Sequence, residues 1–196
     1  MLSELTHHFS KNSPLILASK SPQRIRILKM LGIPFVSVEH EFEEFLDHEL
    51  SPEKNVEMLA EGKAQSLVKK YPNSCIVGID TLVVSESGKI LGKPQHKEEA
   101  REMFREKSGK KELIISGISI IKDNQKITAH EVSSVEFMEF SEADIEKILE
   151  LNEWKNKSGG IMIEGKSSMY IESIEGNFWN IVGFPVPTFL ELLKSI

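Results

Sequence analysis

A strand, a short loop and the start of a helix are predicted by the stretch Leu15-Ile16-Leu17-Ala18-Ser19-Lys20-Ser21-Pro22. The four aliphatic residues favour a buried strand, Ser21 is a good helix N-cap, and Pro22 is a good first helical residue. We therefore expect a strand at residues 15–18 and a helix from about Pro22 to Leu31, whose apolar face carries Ile25, Leu28 and Leu31. A strand that leads directly into a helix is a typical unit of α/β proteins.

Strand-like and helix-like patterns alternate along the rest of the chain, which indicates an α/β class. Strand patterns cover residues 35–38, 76–84, 113–121 and 127–140, with a turn at Asp123-Asn124 and shorter extended stretches at 161–163 and 169–174. Helix patterns cover residues 51–70 and 97–107 and follow Ser141 and Pro187. Residues 1–13 are expected to form an N-terminal extension and residues 14–196 a single domain.

The composition of the chain narrows the range of functions that the protein can have. The chain has 196 residues, with 24 Lys and Arg against 30 Asp and Glu, which gives a net charge of −6. A negative charge disfavours nucleic acid as a partner. The single cysteine, Cys75, lies in an apolar run and is expected to be a buried, inert thiol. No early apolar segment is long enough for a signal peptide or a membrane span, so we expect a cytoplasmic protein without a membrane partner.

The loop before the first helix is a candidate anion site. Helix N-termini present free backbone N–H groups, and Ser19, Lys20, Ser21 and Arg24 would add further donors there. An ordinary capped helix with solvated charges explains the same residues equally well.

Charged residues among apolar neighbours mark the other candidate positions. Asp80 interrupts an aliphatic strand, where an unpaired carboxylate is costly. It either ends the strand at a turn or faces a cleft with a metal or a cation, and we expect the cleft because aliphatic residues follow it immediately. Lys63 lies four residues after Leu59 and four before Leu67, on an apolar helix face, although its amine could reach water along its own stem. Taken alone, Lys93 has the sequence context of an ordinary turn residue. Glu43 and Glu44 lie in an acidic stretch that is typical of a solvated loop and is less typical of metal ligands.

Residues 160–167 match the P-loop pattern G-x-x-x-x-G-K-S. The pattern requires a preceding strand and a helix that begins at the Lys-Ser pair, but the residues before it are polar and those after it alternate like a strand. We therefore expect no phosphate site at Lys166.

The other candidate residues combine cations (Arg24, Lys63 and Lys93) with carboxylates (Asp80 and an acidic residue near position 44). Together they suggest a phosphorylated substrate that binds with a divalent ion.

Several motifs, in order along the chain, resemble those of the Maf family. Residues 17–24, Leu-Ala-Ser-Lys-Ser-Pro-Gln-Arg, resemble the family's opening signature, Leu-Ala-Ser-x-Ser-Pro-Arg-Arg. Similar matches follow at Glu43-Glu44, at Glu61-Gly62-Lys63-Ala64, at Gly78-Ile79-Asp80-Thr81, at Gly92-Lys93-Pro94 and at Val182-Gly183-Phe184-Pro185.

The resemblance implies an extended mixed β-sheet with flanking helices and two lobes around a deep cleft. It implies a nucleoside triphosphate pyrophosphatase that uses a divalent cation, Mg²⁺ or Mn²⁺, and many members of the family are dimers, so a homodimer is an expected partner. Asp80 stands at the family's proton acceptor, with Lys63 and Lys93 as further catalytic residues and Glu44 and Asp80 at the metal. The substrate would be bound by Ser19, Ser21, Gln23, Arg24, Thr81 and Glu164.

The base specificity stays open. One branch of the family, acting on dTTP and UTP, carries Arg, Thr and Gln at three positions where this chain has Gln23, Thr81 and Glu164. A second branch, acting on 7-methyl-GTP, carries Trp, Gln and Glu. A carboxylate at position 164 could accept two hydrogen bonds from a guanine, which favours a purine or a modified base slightly.

Other function classes are also compatible with the sequence. A non-catalytic nucleotide-binding regulator of cell division would bind a nucleotide without releasing pyrophosphate. A P-loop ATPase or kinase would depend on Lys166 and release the γ-phosphate. A nucleic-acid-binding protein is disfavoured by the charge and by the lack of an interleaved basic and aromatic patch.

Overall fold

A computed structural model describes residues 9–10, 13–123 and 125–196. Most of the predicted N-terminal extension, residues 1–13, lies outside the described residues, as does Asn124 of the predicted turn. The strands are β1 (Leu15–Ala18), β2 (Phe35–Val38), β3 (Ile76–Ser85), β4 (Ile90–Leu91), β5 (Lys111–Lys122), β6 (Gln125–Phe137) and β7 (Ile171–Glu175). The helices are α1 (Pro22–Met30), α2 (Pro52–Gln65), α3 (Lys97–Lys107), α4 (Glu142–Glu150), α5 (Phe178–Val182) and α6 (Val186–Leu193), with 3₁₀ turns at Ser158–Gly160 and Lys166–Tyr170.

The described strands form a seven-stranded sheet with the order β2-β1-β3-β5-β6-β7, and β4 pairs with β3. β1 is parallel to both β2 and β3, whereas β4 is antiparallel to β3 and β7 is antiparallel to β6. The helices α1 and α2 lie in the connections around the parallel strands, as βαβ units require. The predicted α/β class with a mixed sheet is confirmed.

The chain divides into two compact units, and it passes from one to the other within β3, β5 and β6. The first unit contains the residues up to Thr81, residues 116–131 and residues 183–196. Part of its core is formed by Ile16, Ala18, Ala64, Leu67, Ile76 and Ile121. The second unit contains residues 82–115 and 132–182, and its aromatic core includes Phe104 and Trp154. The single domain over residues 14–196 stays a prediction.

Several local predictions differ from the structure at individual residues. In α1 the buried side chains are Ile27 and Leu28, whereas Ile25 and Leu31 are half-buried, so the buried stripe includes Ile27, which was not predicted. Of the stretch 169–174, predicted as extended, residues 169–170 belong to a 3₁₀ turn and only the rest lies in β7. The stretch 161–163 is not a strand, because the Met162 N–H donates to the Ser167 hydroxyl at 3.3 Å and the chain turns at residues 163–165.

Cys75 is buried, as predicted, and burial raises the pKa of its thiol to about 12. A thiol with so high a pKa is almost entirely protonated at neutral pH and is therefore a poor nucleophile. Within the described ranges, no helix combines the length and the apolar character needed to cross a bilayer.

Two glycines let α2 pack directly against the sheet. A Cβ atom added to Gly78 in β3 would lie 2.0 Å from the carbonyl oxygen of Ala60, and one added to Gly117 in β5 would lie 2.1 Å from that of Val56. Helix backbone therefore rests on strand backbone at both positions. Lys63 is one turn beyond Ala60 on the helix, and Asp80 is two residues beyond Gly78 on the strand, so the same contact brings these two side chains together.

We predict that Gly78→Ala destabilises the protein by about 3 kcal/mol, the upper end of the usual range for an overpacked core, because the new methyl group meets backbone that cannot move aside. Urea unfolding of the variant and the wild type measures the difference. Gly92→Ala is the matched control, because its Cβ meets no atom within 4 Å. A Gly78→Ala variant as stable as the control would show that α2 does not depend on this contact.

Candidate active site

Lys63 is a buried cation. It is 4% exposed, so its amine does not reach water along its stem, and that interpretation of the sequence is wrong. Its Nζ contacts Asp80 Oδ1 and lies 3.0 Å from Glu44 Oε2. One ammonium group thus bridges two carboxylates.

Asp80 lies inside β3, which continues past it to Ser85, and it is 8% exposed. The carboxylate therefore does not end the strand. Its burial would be costly without a counter-charge, and the Lys63 ammonium supplies that charge. Asp80 thus faces a cation, as predicted, and the cleft around it stays a prediction.

Glu44, not Glu43, is the acidic residue that joins this group. Its Oε1 lies 3.1 Å from His40 Nε2 and its Oε2 contacts Lys63, while the rest of its side chain is exposed. Desolvation pushes the pKa of Glu44 upward, but the charge and hydrogen bond of Lys63 and the charges of His40 and Arg24 outweigh it, so the pKa lies below its ordinary value. Glu44 is therefore ionised throughout the neutral range.

Arg24 is held by three different partners. Its Nη1 donates to Ser19 Oγ at 3.2 Å, its Nη2 to Thr81 Oγ1 at 3.3 Å and its Nε to the carbonyl of Gly183 at 3.0 Å. Burial lowers the pKa of Arg24, and the negative charges of Asp80 and Glu44 oppose that shift. The guanidinium is thus fixed in direction and electrostatically coupled to the two carboxylates.

The loop before α1 is organised around Ser19, which is buried. Its Oγ accepts the backbone N–H of Ser21 at 3.2 Å as well as the bond from Arg24. Ser21 occupies the N-cap position of α1 but makes no side-chain cap bond within the described chain. Its hydroxyl instead lies 3.5 Å from Gln23 Oε1. Of the donors predicted around this helix start, Ser19, Ser21 and Arg24 are close together, whereas the Lys20 amine donates to the Ser37 carbonyl at 2.8 Å.

Ser19, Ser21, Gln23, Arg24, Glu44, Lys63, Asp80 and Thr81 all belong to the first unit. The other predicted site residues, Lys93 and Glu164, belong to the second. Lys93 follows β4 with an exposed side chain, and its carbonyl accepts a 2.8 Å bond from Gln95 Nε2. Glu164 is half-buried in the turn before the 3₁₀ segment Lys166–Tyr170.

The P-loop-like stretch binds a carboxylate of the protein itself. The backbone N–H groups of Lys166 and Ser167 donate to Glu153 at 2.9 Å each, and the Ser167 hydroxyl donates to Glu153 Oε2 at 2.8 Å. A 3₁₀ turn, not an α-helix, follows, and Lys166 is exposed. Because Glu153 occupies the N–H groups that would cradle a phosphate, the expectation of no P-loop at this position is confirmed.

Two contributors to the site were missed in the sequence: Ser116, which is fully buried with its hydroxyl 2.9 Å from Thr81 Oγ1, and His40, which lies 3.1 Å from Glu44. Gly183 belongs to a motif noted in the sequence, but its carbonyl contact with Arg24 was not predicted. Ser116 could have been noticed in the sequence, because it is a hydroxyl residue inside an aliphatic strand pattern. For His40 no pattern in the sequence indicated the contact.

Within the described part of the chain, no group of three or more His, Cys, Asp and Glu side chains is placed to hold a metal ion. Glu44 and Asp80 nevertheless converge on a single cation, the Lys63 ammonium. A pair of carboxylates suits Mg²⁺, which usually takes its other ligands from water and from substrate phosphates. The donor set therefore fits a divalent ion that binds together with a phosphorylated substrate.

The lowered pKa of Glu44 predicts how its contribution to stability depends on pH. A carboxylate whose folded pKa lies below its unfolded value stabilises the fold above the unfolded pKa, and this contribution is lost as the pH falls through the folded pKa. Glu44→Gln should therefore be less stable than the wild type at pH 7, and the difference should close below about pH 4. Thermal unfolding between pH 3 and pH 7 measures it, with the exposed neighbour variant Glu43→Gln as control. A difference that widens toward low pH would contradict the ion pairing.

Comparison with known proteins shows the family to which this chain belongs. A dTTP/UTP pyrophosphatase of Bacillus velezensis is 39% identical over 181 residues, which cover 92% of this chain and 95% of that protein. A dTTP/UTP pyrophosphatase of Symbiobacterium thermophilum is 36% identical, over 92% of this chain and 93% of that protein. The structure of the Staphylococcus aureus Ham1 protein aligns with a TM-score of 0.51 over 92% of this chain and 98% of that chain, and at 13% identity it shows the fold alone. A family model described as Maf-like protein matches residues 14–196, and the chain therefore belongs to the Maf family.

Proposed function

We propose that this protein hydrolyses a nucleoside triphosphate to the monophosphate and pyrophosphate. The observation that carries the proposal is the buried Lys63 ammonium, which bridges Asp80 and Glu44 next to the fixed guanidinium of Arg24. Cations and carboxylates held this close suit a substrate that carries its own negative charge. The pyrophosphatases at 36–39% identity supply the reaction class.

The reaction breaks the bond between the α-phosphorus and the oxygen that joins it to the β-phosphate. Water attacks the α-phosphorus, and Asp80 accepts the proton that the water loses. The bridging oxygen leaves with pyrophosphate, and the nucleoside monophosphate keeps the oxygen of the water. Asp80 suits this role because its Oδ1 is already held by Lys63, which fixes the direction of the second carboxylate oxygen, Oδ2.

The cations stabilise the charge that grows on the phosphate oxygens. Arg24 is fixed before the substrate arrives, so its charge needs little reorganisation during the reaction. We assign Lys63 and Lys93 to the same task and the hydroxyls of Ser19 and Ser21 to hydrogen bonds with the phosphates. Glu44 and Asp80 would hold a divalent ion, which would withdraw charge from the phosphate oxygens when bound.

Asp80→Asn should reduce pyrophosphate release by at least about a thousandfold, because general-base catalysis contributes up to about four orders of magnitude. Initial rates of pyrophosphate and orthophosphate release are measured separately with dTTP and Mg²⁺, and circular dichroism confirms the fold. Asp123→Asn is the matched control, because Asp123 is exposed and has φ of 50°, a conformation that Asn adopts readily. If Asp80→Asn keeps wild-type activity, Asp80 is not the base.

The relatives favour dTTP and UTP as the substrates, and we propose these first. Thr81 agrees with that branch of the family, although its hydroxyl is bound to Arg24 and Ser116. Guanine nucleotides are the second candidate, because the carboxylate of Glu164 only accepts hydrogen bonds and a guanine offers two adjacent donors. We therefore propose that Glu164 decides between pyrimidine and guanine nucleotides as substrates.

We predict that Glu164→Gln raises the ratio of kcat/KM for dTTP to kcat/KM for GTP by about tenfold, which corresponds to about 1.4 kcal/mol. An amide can donate to a pyrimidine carbonyl, whereas a carboxylate cannot. A panel of dTTP, UTP, CTP, GTP, 7-methyl-GTP and ATP measures the ratio, with the exposed Glu172→Gln as control. An unchanged ratio would remove Glu164 from the base site.

A non-catalytic nucleotide-binding regulator is the rival from another class. It would bind one nucleotide of the panel tightly without turnover. The contact between Lys63 and Asp80 and the electrostatic coupling of Arg24 to Asp80 speak against lost catalysis, so we do not favour it.

A further inference from the structure

The second unit contains a buried ion pair that the proposed chemistry does not use. Lys107, the last residue of α3, is 2% exposed, and Glu112, near the start of β5, is 3% exposed. The Lys107 Nζ lies 3.1 Å from Glu112 Oε2 and 4.7 Å from the centre of the Phe137 ring. Burial lowers the pKa of Lys107 and raises that of Glu112, and each shift is opposed by the charge of the partner.

A pair of this kind contributes little to stability. Replacing buried ion pairs by apolar residues of similar volume is often neutral or stabilising, because the desolvation of both charges is avoided. The contacts of the ammonium are therefore more informative than its charge. Besides Glu112, the Lys107 Nζ donates to the carbonyl oxygen of Gly159.

Gly159 lies at the centre of a tight turn. It has φ of +70°, a conformation that suits glycine, and the next residue, Gly160, has φ of +72°. A Cβ atom on Gly159 would lie 3.1 Å from Val83 Cγ1, 3.5 Å from Glu112 Oε2 and 3.6 Å from Lys107 Nζ. The turn is thus packed directly onto the ion pair.

The backbone of Gly159 also contacts the loop that carries Lys93. The Gly159 N–H donates to the carbonyl oxygen of Gly92 at 3.1 Å. Gly92 immediately precedes Lys93, whose side chain is exposed and long. The direction in which Lys93 leaves the backbone therefore depends on the Gly92 peptide, which hydrogen-bonds to the Gly159 turn.

We propose that Lys107 is a positioning residue for Lys93. Its ammonium, oriented by Glu112, fixes the Gly159 turn, and the Gly159 N–H fixes the Gly92 carbonyl and with it the backbone from which Lys93 extends. The inference rests on the proposed function in one respect, which is that Lys93 contacts the substrate's phosphates.

The test is a double-mutant cycle that compares the loss of kcat/KM on removing the ion pair with and without the Lys93 side chain. Lys107→Met combined with Glu112→Leu removes both charges together, so no unpaired charge is left buried. We expect a folded protein with a Tm close to that of the wild type and a kcat/KM that is about tenfold to a hundredfold lower, since a small misplacement can cost about a hundredfold. In a Lys93→Ala background the same pair of changes should cause no further loss, because Lys93 is no longer there to be misplaced.

The exposed pair Lys89 and Glu106 provides the matched control, and Lys89→Met combined with Glu106→Leu should leave kcat/KM unchanged. If the Lys107 and Glu112 variant does not fold, Lys107→Arg replaces it, and its loss of activity must likewise vanish in the Lys93→Ala background. Full activity of the folded variant, or an equal loss in both backgrounds, overturns the proposal and leaves the proposed function intact. Wild-type activity of Lys93→Ala overturns the role of Lys93 itself and this inference with it.

Discussion

The close contact between α2 and the strands β3 and β5 is the constraint on which the rest of the site depends. Gly78 and Gly117 carry no side chain, so the helix backbone at Ala60 and Val56 can rest on the sheet. With larger residues the helix would move outward, and Lys63 would move with it. Since protein interiors are closely packed, a shift of this kind would not be absorbed by small adjustments elsewhere.

The contact produces an arrangement that would be unfavourable in isolation. Asp80 and Lys63 are both buried, and either one alone would pay a large desolvation cost. Together they neutralise each other, Glu44 pairs with Lys63 from a more exposed position, and the charge of Arg24 is coupled to both carboxylates. Under the proposed function, a triphosphate and a divalent ion would each meet a fixed partner of opposite charge in this array.

The parts of this structure that were predictable from sequence are those set by local pattern. Helix α3 has the predicted bounds because its apolar spacing is regular, and Asp80 and Lys63 stood out because each is a charge among aliphatic neighbours. The turn at 163–165 was missed because it depends on Ser167, and Ser116 and His40 were missed because their partners are distant in sequence. The burial of Lys107 was equally hidden, since a lysine at the end of a helix is normally solvated.

Hydrolysis in water enriched in ¹⁸O tests the central claim most directly, because it shows which phosphorus the water attacks. With dTTP as substrate, we predict that the label appears in the nucleoside monophosphate and that pyrophosphate remains unlabelled. Label in pyrophosphate would place the attack at the β-phosphorus, and orthophosphate as the main product would place it at the γ-phosphorus. Either result would contradict the proposed mechanism at Asp80.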